Sequence, residues 1–395
     1  MLSRLLNIDK IKPQGDPVMW IIIVLLSVWG LVAVYSSTGA LAYAKHGGSA
    51  EVYFFQQFAY LAIGFYVMLF IHSIHYKMFM KVAKLVLYIS YVLLVLTLFV
   101  GAEINDAQRW LKIPFIGITF QTSEVAKVAL IMYIASELAK KQDDIKDFKK
   151  GFLPILIHVG VTCLLIAPNN LSTALVLAAT CIVVMFIGRA SVKHILMVGA
   201  PIIIALGLLA LIVANTDDKY LKPFGRLLTW KHRIENYSNP VKDRDVTYQN
   251  DHAKIAIASG SWTGKGPGQS TERNFLPEAF SDFIYAIIVE EYGMAGGVIM
   301  LGLYLLFMFR ALRIIFISPK AFGALVAVGL SFTLVMQALI NMAVAVNLFP
   351  VTGLTLPLVS KGGTSIIITS FAFGMIMSVS RHVEKDEPET APQAA

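Results

Sequence analysis

The chain has 395 residues, 57% of them hydrophobic and 15% charged, and its formal net charge is +8. Soluble proteins carry about 25% charged residues, so the composition excludes an ordinary soluble enzyme and predicts helices that cross a lipid bilayer. The basic excess does not require a nucleic-acid partner, because basic residues collect in the cytoplasmic loops of membrane proteins.

Ten apolar segments approach the length of about 20 residues that a membrane-spanning helix needs. They lie at about 18–38, 54–73, 79–100, 122–140, 152–168, 171–188, 193–214, 283–308, 322–347 and 363–381. Alternate connections between them are rich in lysine and arginine, so the positive-inside rule places both termini in the cytoplasm. Cys163 and Cys181 lie within these segments, where we expect small core residues and neither a disulfide nor a metal site.

The predicted organisation follows from these segments. Residues 1–17 form a cytoplasmic segment, residues 18–382 form one all-α transmembrane domain of about ten helices, and the polar residues 383–395 form a disordered cytoplasmic tail. A long extracytoplasmic loop, residues 215–282, joins helices 7 and 8 and contains the glycine-rich stretch "GSWTGKGPGQ". Structureless connections of this length are uncommon, which suggests a function for the loop.

The first polar feature in chain order is "NDAQRWLKI", just outside the membrane before the fourth segment. Arg109 and Trp110 fit an interfacial anchor, because tryptophan favours that depth and arginine extends its charge toward water. The alternative is a guanidinium that binds a phosphate or pyrophosphate. Taken alone, the two residues favour the anchor.

The fourth segment begins with "FQTSEVAK". Thr122 or Ser123 can cap the helix, and Glu124 falls in the first turn, where a negative charge is stabilised. Glu124 and Lys127 are three residues apart, so they share one face and can form an ion pair. One interpretation is a capping device. The other is a functional site, because a lysine one turn inside a membrane helix usually faces protein or water.

The next polar stretch is "APNNLSTALV", where two helical segments meet with almost no connection. Asn169 and Asn170 lie at this junction, and Ser172 or Thr173 can cap the following helix. A capped turn and a ligand-binding role both fit these residues.

Four carboxylates occur in the stretch "FLPEAFSDFIYAIIVEEYG", namely Glu278, Asp282, Glu290 and Glu291. Ser281 can cap the eighth helix, which would place Asp282 in its first turn. Glu290 and Glu291 would then lie about 12 Å deeper along a straight helix. Two adjacent glutamates at that depth cannot both face lipid, so we expect one to meet water or a basic partner such as Lys127. The acids indicate a polar cavity that opens outward, with Asp282 at its mouth.

The last polar stretch is "LFPVTGLTLPLVSKGGTSIII". Its prolines and glycines would break a continuous helix, and irregular backbone at membrane depth must be surrounded by protein or water. We expect a re-entrant or outer loop beside a cavity, whose amides can hold an anion. A simple outer turn is the alternative.

Taken in order, these blocks resemble the SEDS family, which is named for shape, elongation, division and sporulation. The similarity lies in "RW", "FQTSEVAK", "NLSTA", "GKGPGQS", "FLPEAFSDFIYAIIVEE" and "TGLTLPLVSKGGTS", and it extends over nearly all ten segments. The segment "NLSTALVLAATCIVVMFIGR" and the ending "SVSRHVEK" resemble the division branch, FtsW, more than the elongation branch, RodA. Lys361 stands where the family commonly has tyrosine, and Asn170 stands where it has an acidic residue.

The resemblance implies a peptidoglycan glycosyltransferase that polymerises lipid II, a disaccharide-pentapeptide on undecaprenyl pyrophosphate, at the outer face of the bacterial cytoplasmic membrane and at the division septum. It implies a class B penicillin-binding protein as partner, together with other divisome proteins and membrane lipids, and no nucleic acid. The key acid of the family corresponds to Asp282. With the residue patterns above, the substrate-binding candidates are Arg109, Trp110, Gln121, Ser123, Glu124, Lys127, Lys265, Glu278, Lys361, Thr364 and Ser365. The structural or electrostatic candidates are Glu290, Glu291 and Asn347.

The chemistry this predicts is a single displacement with inversion at the anomeric carbon. Asp282 would remove the proton of the attacking sugar hydroxyl, and Arg109, Lys127 and Lys361 would stabilise the leaving pyrophosphate. No organic cofactor is expected. A divalent cation, Mg²⁺ or Mn²⁺, at Asp282 or the pyrophosphate is compatible with this chemistry, although no metal-ligand spacing requires one.

Three other functions fit parts of the sequence. A lipid II flippase or transporter would also have buried charges and broken helices, but its polar residues would continue to the cytoplasmic face. An elongation polymerase similar to RodA would share the chemistry. A scaffold without chemistry would leave Lys127 and the two adjacent glutamates unexplained.

Overall fold

The protein has the fold of a polytopic helical membrane protein, as predicted. The structure is a computed structural model, which describes residues 13–39, 41, 49–104, 107–112, 119–221, 228–231, 244–318 and 320–386. The long helices of the described part are α1 (Pro17–Ser37), α2 (Glu51–Ser73), α3 (Tyr76–Val100), α4 (Thr122–Lys140), α5 (Leu153–Ile166), α6 (Leu171–Ile187), α7 (Val192–Asn215), α8 (Arg244–Gly260), α9 (Ile284–Ile317), α10 (Ala321–Ala345) and α11 (Thr364–Asp386). Among the described residues, eight helices are long and apolar enough to cross a membrane, and α6 is a shorter apolar helix.

All ten predicted segments correspond to helices, and α8 is an additional helix inside the predicted loop 215–282. Residues 222–227 and 232–243 of that loop lie outside the described residues. The predicted tail begins too early, because α11 continues to Asp386; residues 387–395 lie outside the described part.

A small antiparallel sheet, which the sequence analysis missed, precedes α4. Its strands are β1 (Ala102–Ile104), β2 (Ala107–Lys112) and β3 (Thr119–Gln121), in the order β1-β2-β3. Trp110 of β2 lies opposite Gln121 of β3. The sheet therefore carries Arg109 and Trp110 on an ordered strand directly above the start of α4.

The helices pass between two ends of the bundle. At the upper end, α1 ends and α4, α6 and α11 begin. At the lower end, α4, α6 and α9 end. Asp16 fixes the lower end: its carboxylate accepts from the amide of Val18 at 2.9 Å and pairs with Arg310 of α9 at 2.5 Å. Its own amide donates to Ser380 of α11 at 2.9 Å. One residue thus joins three helices.

Helix α9 is broken at Gly293, and the chain folds back on itself there. Gly293 has φ 70° and ψ −176°, which is not helical. Val289 and Gly297 would be about 12 Å apart along a straight helix, yet a Cβ on Gly297 would lie 2.8 Å from Val289 Cγ2 and 2.9 Å from Tyr285 Oη. A short arm, residues 284–292, therefore packs against the long arm, residues 294–317, and the membrane-spanning part is the long arm.

The glycine-rich loop completes the hydrogen bonds that this break would leave open. A broken helix exposes carbonyls on one side and amides on the other. The loop amides donate to carbonyls of the short arm, and its carbonyls accept from amides of the long arm. The bonds are Lys265 N to Glu290 O (2.9 Å), Gly266 N to Glu291 O (2.9 Å), Met294 N to Ser261 O (2.8 Å) and Ala295 N to Trp262 O (3.3 Å).

The predicted depth of the two glutamates is wrong because of this reversal. Glu291 accepts a hydrogen bond from Ser36 at the upper end of α1. The Ser281 carbonyl accepts a hydrogen bond from the Ser360 hydroxyl. Ser360 directly follows Leu358 and Val359, whose backbone packs against Gly30 of α1. Gly30 lies roughly 9 Å below Ser36 along the helix. The glutamates therefore lie at the upper end, and the segment that carries Asp282 lies below them.

Candidate functional site

The segment that carries Asp282 is held by hydrogen bonds to three of its own consecutive backbone carbonyls. The carbonyl of Phe280 accepts from the Lys361 amide at 2.9 Å, and that of Ser281 accepts from the Ser360 hydroxyl at 2.7 Å. The carbonyl of Asp282 accepts from the Asn341 side chain at 2.9 Å. These donors belong to α10 and to the irregular segment before α11, so two elements fix the half-buried Asp282.

The predicted cap at this position is wrong. Helix α9 begins at Ile284 without a side-chain cap, so Asp282 precedes the helix and does not lie in its first turn. The Ser281 hydroxyl donates to Glu278 at 2.6 Å. Glu278 therefore stabilises the turn that leads to Asp282.

Asp282 and Arg109 face the same small volume. Gly353, at φ 70°, lies between them: a Cβ there would be 3.2 Å from Arg109 Nη1 and 3.7 Å from Asp282 Oδ2. The Arg109 Nε donates to the Asn169 carbonyl at 2.8 Å, which orients the guanidinium. The positive φ and the two close side chains explain why glycine occupies position 353. The sequence separated this carboxylate and guanidinium by more than 170 residues, and the fold brings them together.

A groove of about 180 Å³ opens beside Arg109. It is lined by Arg109, Asn169, Asn170, Ser172, Leu175, Trp230 and residues 350–352, among others. Asn170 caps α6 by accepting from the Thr173 amide at 3.1 Å, so the capping residue is Asn170, not Ser172 or Thr173 as predicted. The groove has apolar and polar walls, which suits an amphiphilic ligand.

Glu124 and Lys127 form the predicted ion pair, at 2.8 Å, with side chains only 9% and 6% exposed. Lys127 also donates to Gln337 of α10 at 2.8 Å. The pair lines a separate small cavity of about 20 Å³ between α4, α10 and α11. Lys127 therefore faces the protein interior, one of the two environments expected for a lysine at this depth.

The start of α4 differs from the predicted cap. Gln121 occupies the N-cap position and makes no capping bond with its side chain. Its amide nitrogen donates to the Ser123 hydroxyl at 3.0 Å, and the Thr122 hydroxyl accepts from Thr97 at 3.0 Å. These contacts join α3, β3 and α4 below Arg109.

Removing one member of the buried ion pair should destabilise the protein more than removing both. Lys127→Met leaves Glu124 buried without its cation, and this should cost about 3–5 kcal/mol of the free energy of unfolding. The double variant Lys127→Met with Glu124→Gln should recover most of that loss. Thermal unfolding in detergent measures the three variants. Equal loss in the single and double variants would show that the pair does not act as a unit.

The two glutamates at the upper end bind the glycine-rich loop. Glu290 accepts from Lys265 Nζ at 2.5 Å, from the Thr271 hydroxyl at 2.9 Å and from Ser270. The predicted contact of Glu290 with Lys127 is therefore wrong, because the reversal at Gly293 carries Glu290 to the loop. Lys265, predicted to bind substrate, is the basic partner of Glu290.

Glu291 has a similar structural environment. It accepts from Ser36 and from the amides of Gly268 and Ser270. Arg273 donates to the Ser36 carbonyl at 2.9 Å and so completes the contact with α1. The predicted structural role of both glutamates agrees with these contacts.

The remaining candidates lie around the irregular segment before α11. Lys361 Nζ lies 3.8 Å from the ring centroid of Tyr53 and 5.2 Å from that of Phe280. The Thr364 hydroxyl donates to the Thr119 carbonyl of β3 at 2.8 Å. Ser365 is buried in the first turn of α11. These residues fix the loop and the sheet to each other.

Asn347 has a structural position at the end of α10. Its φ is 59°, and the amides of Asn347 and Leu348 bond back to Val344 and Ala343 at 2.9 and 2.8 Å. This is a Schellman motif, in which asparagine tolerates the left-handed conformation. The predicted structural role fits this geometry.

The described residues do not supply a protein-only metal centre. No group of three His, Cys, Asp or Glu side chains among them is arranged to hold a metal ion. The neighbour of Asp282 across Gly353 is Arg109, a cation with no acceptor atom that could bind a metal. A divalent ion would need most of its ligands from a bound substrate.

Comparison with known proteins gives consistent matches over nearly the whole chain. The FtsW/RodA/SpoVE family model, described as cell cycle protein, matches residues 16–385. The Geobacter sulfurreducens protein named "Probable peptidoglycan glycosyltransferase FtsW" is 33% identical over 386 residues, which cover 96% of this chain and 98% of the relative. "Stage V sporulation protein E" of Bacillus subtilis is 34% identical over 378 residues, which cover 94% of this chain and 98% of the relative.

Solved structures share the fold. A chain from the structure "Structural coordination of polymerization and crosslinking by a peptidoglycan synthase complex" is 24% identical with a TM-score of 0.72, and the match covers 94% of this chain and 99% of that one. The rod shape determining protein RodA of Thermus thermophilus is 23% identical with a TM-score of 0.64, covering 93% and 97%. At these identities the structures establish the fold alone.

Proposed function

The chain belongs to the FtsW/RodA/SpoVE family of cell cycle proteins, and on that premise we propose that it is a peptidoglycan glycosyltransferase that polymerises lipid II into glycan strands during cell division. The SEDS resemblance of the sequence is thereby confirmed. The division role follows from relatives of nearly full length that carry the name FtsW.

One observation carries the proposal: the Asp282 carboxylate and the Arg109 guanidinium face one volume beside a groove at the upper end of the bundle. A base and a cation in such proximity suit a reaction in which a hydroxyl loses a proton while a phosphate ester leaves. The apolar wall of the groove suits the polyprenyl chain of lipid II.

The upper end is assigned to the outer face of the cytoplasmic membrane. Basic residues concentrate at the lower end, where α4 and α5 are connected and α9 finishes; they include Lys140, Lys141, Lys149, Lys150 and Arg313. The positive-inside rule then gives cytoplasmic termini and an outward-facing site. We propose that the enzyme acts at the division septum, with its site on the outer face of the membrane, where the sugars of lipid II lie.

The mechanism is a single displacement. The acceptor hydroxyl oxygen attacks the anomeric carbon of the donor sugar, its proton passes to Asp282, and the bond to the pyrophosphate breaks with inversion. Arg109 stabilises the negative charge that develops on the leaving pyrophosphate. Lys127 has a structural role here, because Glu124 already balances its charge. Lys361 remains a candidate for the pyrophosphate beside the aromatic pair Tyr53 and Phe280.

Mg²⁺ or Mn²⁺ would be held mainly by the pyrophosphate of the substrate, and we assign no step to it. The partner we propose is a class B penicillin-binding protein, which would crosslink the new strands within the divisome. The support for this partner is that a chain with the same fold occurs in the solved structure of a peptidoglycan synthase complex that coordinates polymerisation and crosslinking.

Two assays on the purified protein with its cognate transpeptidase test this function. The first follows glycan strands formed from lipid II in detergent, and the second follows lipid II movement across the bilayer of reconstituted vesicles. We expect strands in the first assay and no protein-dependent movement in the second. Movement without strands would identify a flippase and overturn the proposal.

A further inference from the structure

Two buried amide side chains on α10 connect the elements of the site. Gln337 and Asn341 are four residues apart, so they lie on one face of the helix. They are 4% and 1% exposed. Their amide nitrogens have specific partners, as buried polar groups generally do, whereas Asn341 Oδ1 is buried without a hydrogen-bond partner among the described residues.

The side-chain amide nitrogen of Asn341 donates hydrogen bonds to two separate backbone segments. Its Nδ2 donates to the carbonyl of Asp282 at 2.9 Å and to the carbonyl of Leu354 at 2.7 Å. Leu354 directly follows Gly353, the residue between Asp282 and Arg109. One amide therefore fixes both the backbone of the proposed base and the backbone that separates it from the guanidinium.

Gln337 holds the same loop one turn away. Its Nε2 donates to the Thr355 carbonyl at 2.9 Å, and its Oε1 accepts from Lys127 at 2.8 Å. Lys127 fixes the orientation of the Gln337 amide, because an ammonium can only donate. The loop at residues 353–355 is thus connected through α10 to the ion pair in α4.

We propose that Asn341 is a positioning residue for Asp282, supported by Gln337, and this inference rests on the proposed function. Asp282 lies immediately before α9, and the Asn341 amide holds its carbonyl against α10. Losing this donor leaves the Asp282 carboxylate on a segment that can shift relative to Arg109. Misplacement of a catalytic group by about 1 Å can reduce turnover by about 10²-fold.

The test compares Asn341→Leu, which has a similar shape and no donor, with wild type in lipid II polymerisation. We expect kcat to fall by about 10²-fold, with little change in KM, because the groove is unaltered. The matched control is Ser331→Ala: Ser331 is buried on the same helix, and its hydroxyl has no hydrogen-bond partner among the described residues. We expect this control to retain wild-type turnover.

A double variant separates positioning from general structural damage. If Asn341 acts through Asp282, adding Asn341→Leu to Asp282→Asn should cause no further loss of the residual rate. Multiplicative losses, a rise in KM alone, or wild-type turnover of Asn341→Leu would each overturn the inference. Should Asn341→Leu fail to fold, Asn341→Ala, which also removes the donor, is compared with wild type and with Asp282→Asn in the same way. An inactive wild type would refute the proposed function itself.

Discussion

Asp282→Asn should strongly reduce glycan-strand synthesis, leaving a small residual rate, while the protein remains folded and binds lipid II. Asparagine has the same shape as aspartate, and the backbone bonds from Asn341, Ser360 and Lys361 do not depend on the side chain at 282. Only the charge and the proton-accepting oxygen change. General bases contribute about 10²–10⁴-fold to turnover, so we expect kcat to fall by at least about 10²-fold.

The measurement is strand formation from lipid II by the complex with the transpeptidase, with thermal unfolding and lipid II binding measured on the same samples. Asp251→Asn is a suitable control, because Asp251 lies on α8, is about half exposed and pairs only at the surface with Lys254. That control should leave turnover unchanged. Strand formation by Asp282→Asn at the wild-type rate would remove Asp282 from the chemistry.

The candidate site is held in place by hydrogen bonds from groups that take no part in the proposed reaction. The carbonyls of residues 280–282 are bonded to three different donors, and the loop at 353–355 is bonded to α10. Above them, Glu290 and Glu291 bind the glycine-rich loop to the short arm of α9. An active site built on irregular backbone needs such bonds, because water cannot satisfy these groups at membrane depth.

The helices could be predicted from the sequence, because long apolar segments are local signals. The ion pair Glu124–Lys127 could be predicted from residue type and spacing, whereas the assignment of Asp282 as the key acid depends on the resemblance to the SEDS family. Their predicted neighbours were less accurate wherever the neighbour is distant in the chain. The capping residues also differed, because Ser281 and Ser172 had local alternatives that spacing does not distinguish.

The largest error in the predicted structure concerns Gly293, where a straight helix was expected and the chain reverses. A glycine within "EEYGMAGG" fits a straight helix in sequence, and its φ angle cannot be read from its identity. Once Gly293 reverses the chain, Glu290 moves away from Lys127 and towards Lys265. The strands β1 to β3 were missed because they are only three to six residues long, which is too short for a clear period-two pattern.

Gly293→Ala should destabilise the protein and reduce activity together, because this glycine holds the chain reversal that places Asp282. Its φ of 70° and ψ of −176° fall in a region that is essentially restricted to glycine. A Cβ there would lie 2.2 Å from the Trp262 carbonyl oxygen, which itself bonds to Ala295. We expect a loss of at least about 3 kcal/mol in the free energy of unfolding.

Gly302→Ala in the long arm is the matched control for this variant. Gly302 is helical, and a Cβ there would meet nothing within 4 Å, so alanine should stabilise the helix by about 0.5–1 kcal/mol. Thermal unfolding in detergent and strand formation from lipid II measure both variants. Similar stability and turnover for the two would mean that Gly293 does not reverse the chain. Opposite effects would show that the position of Asp282 depends on the conformation of a residue eleven positions further along the chain.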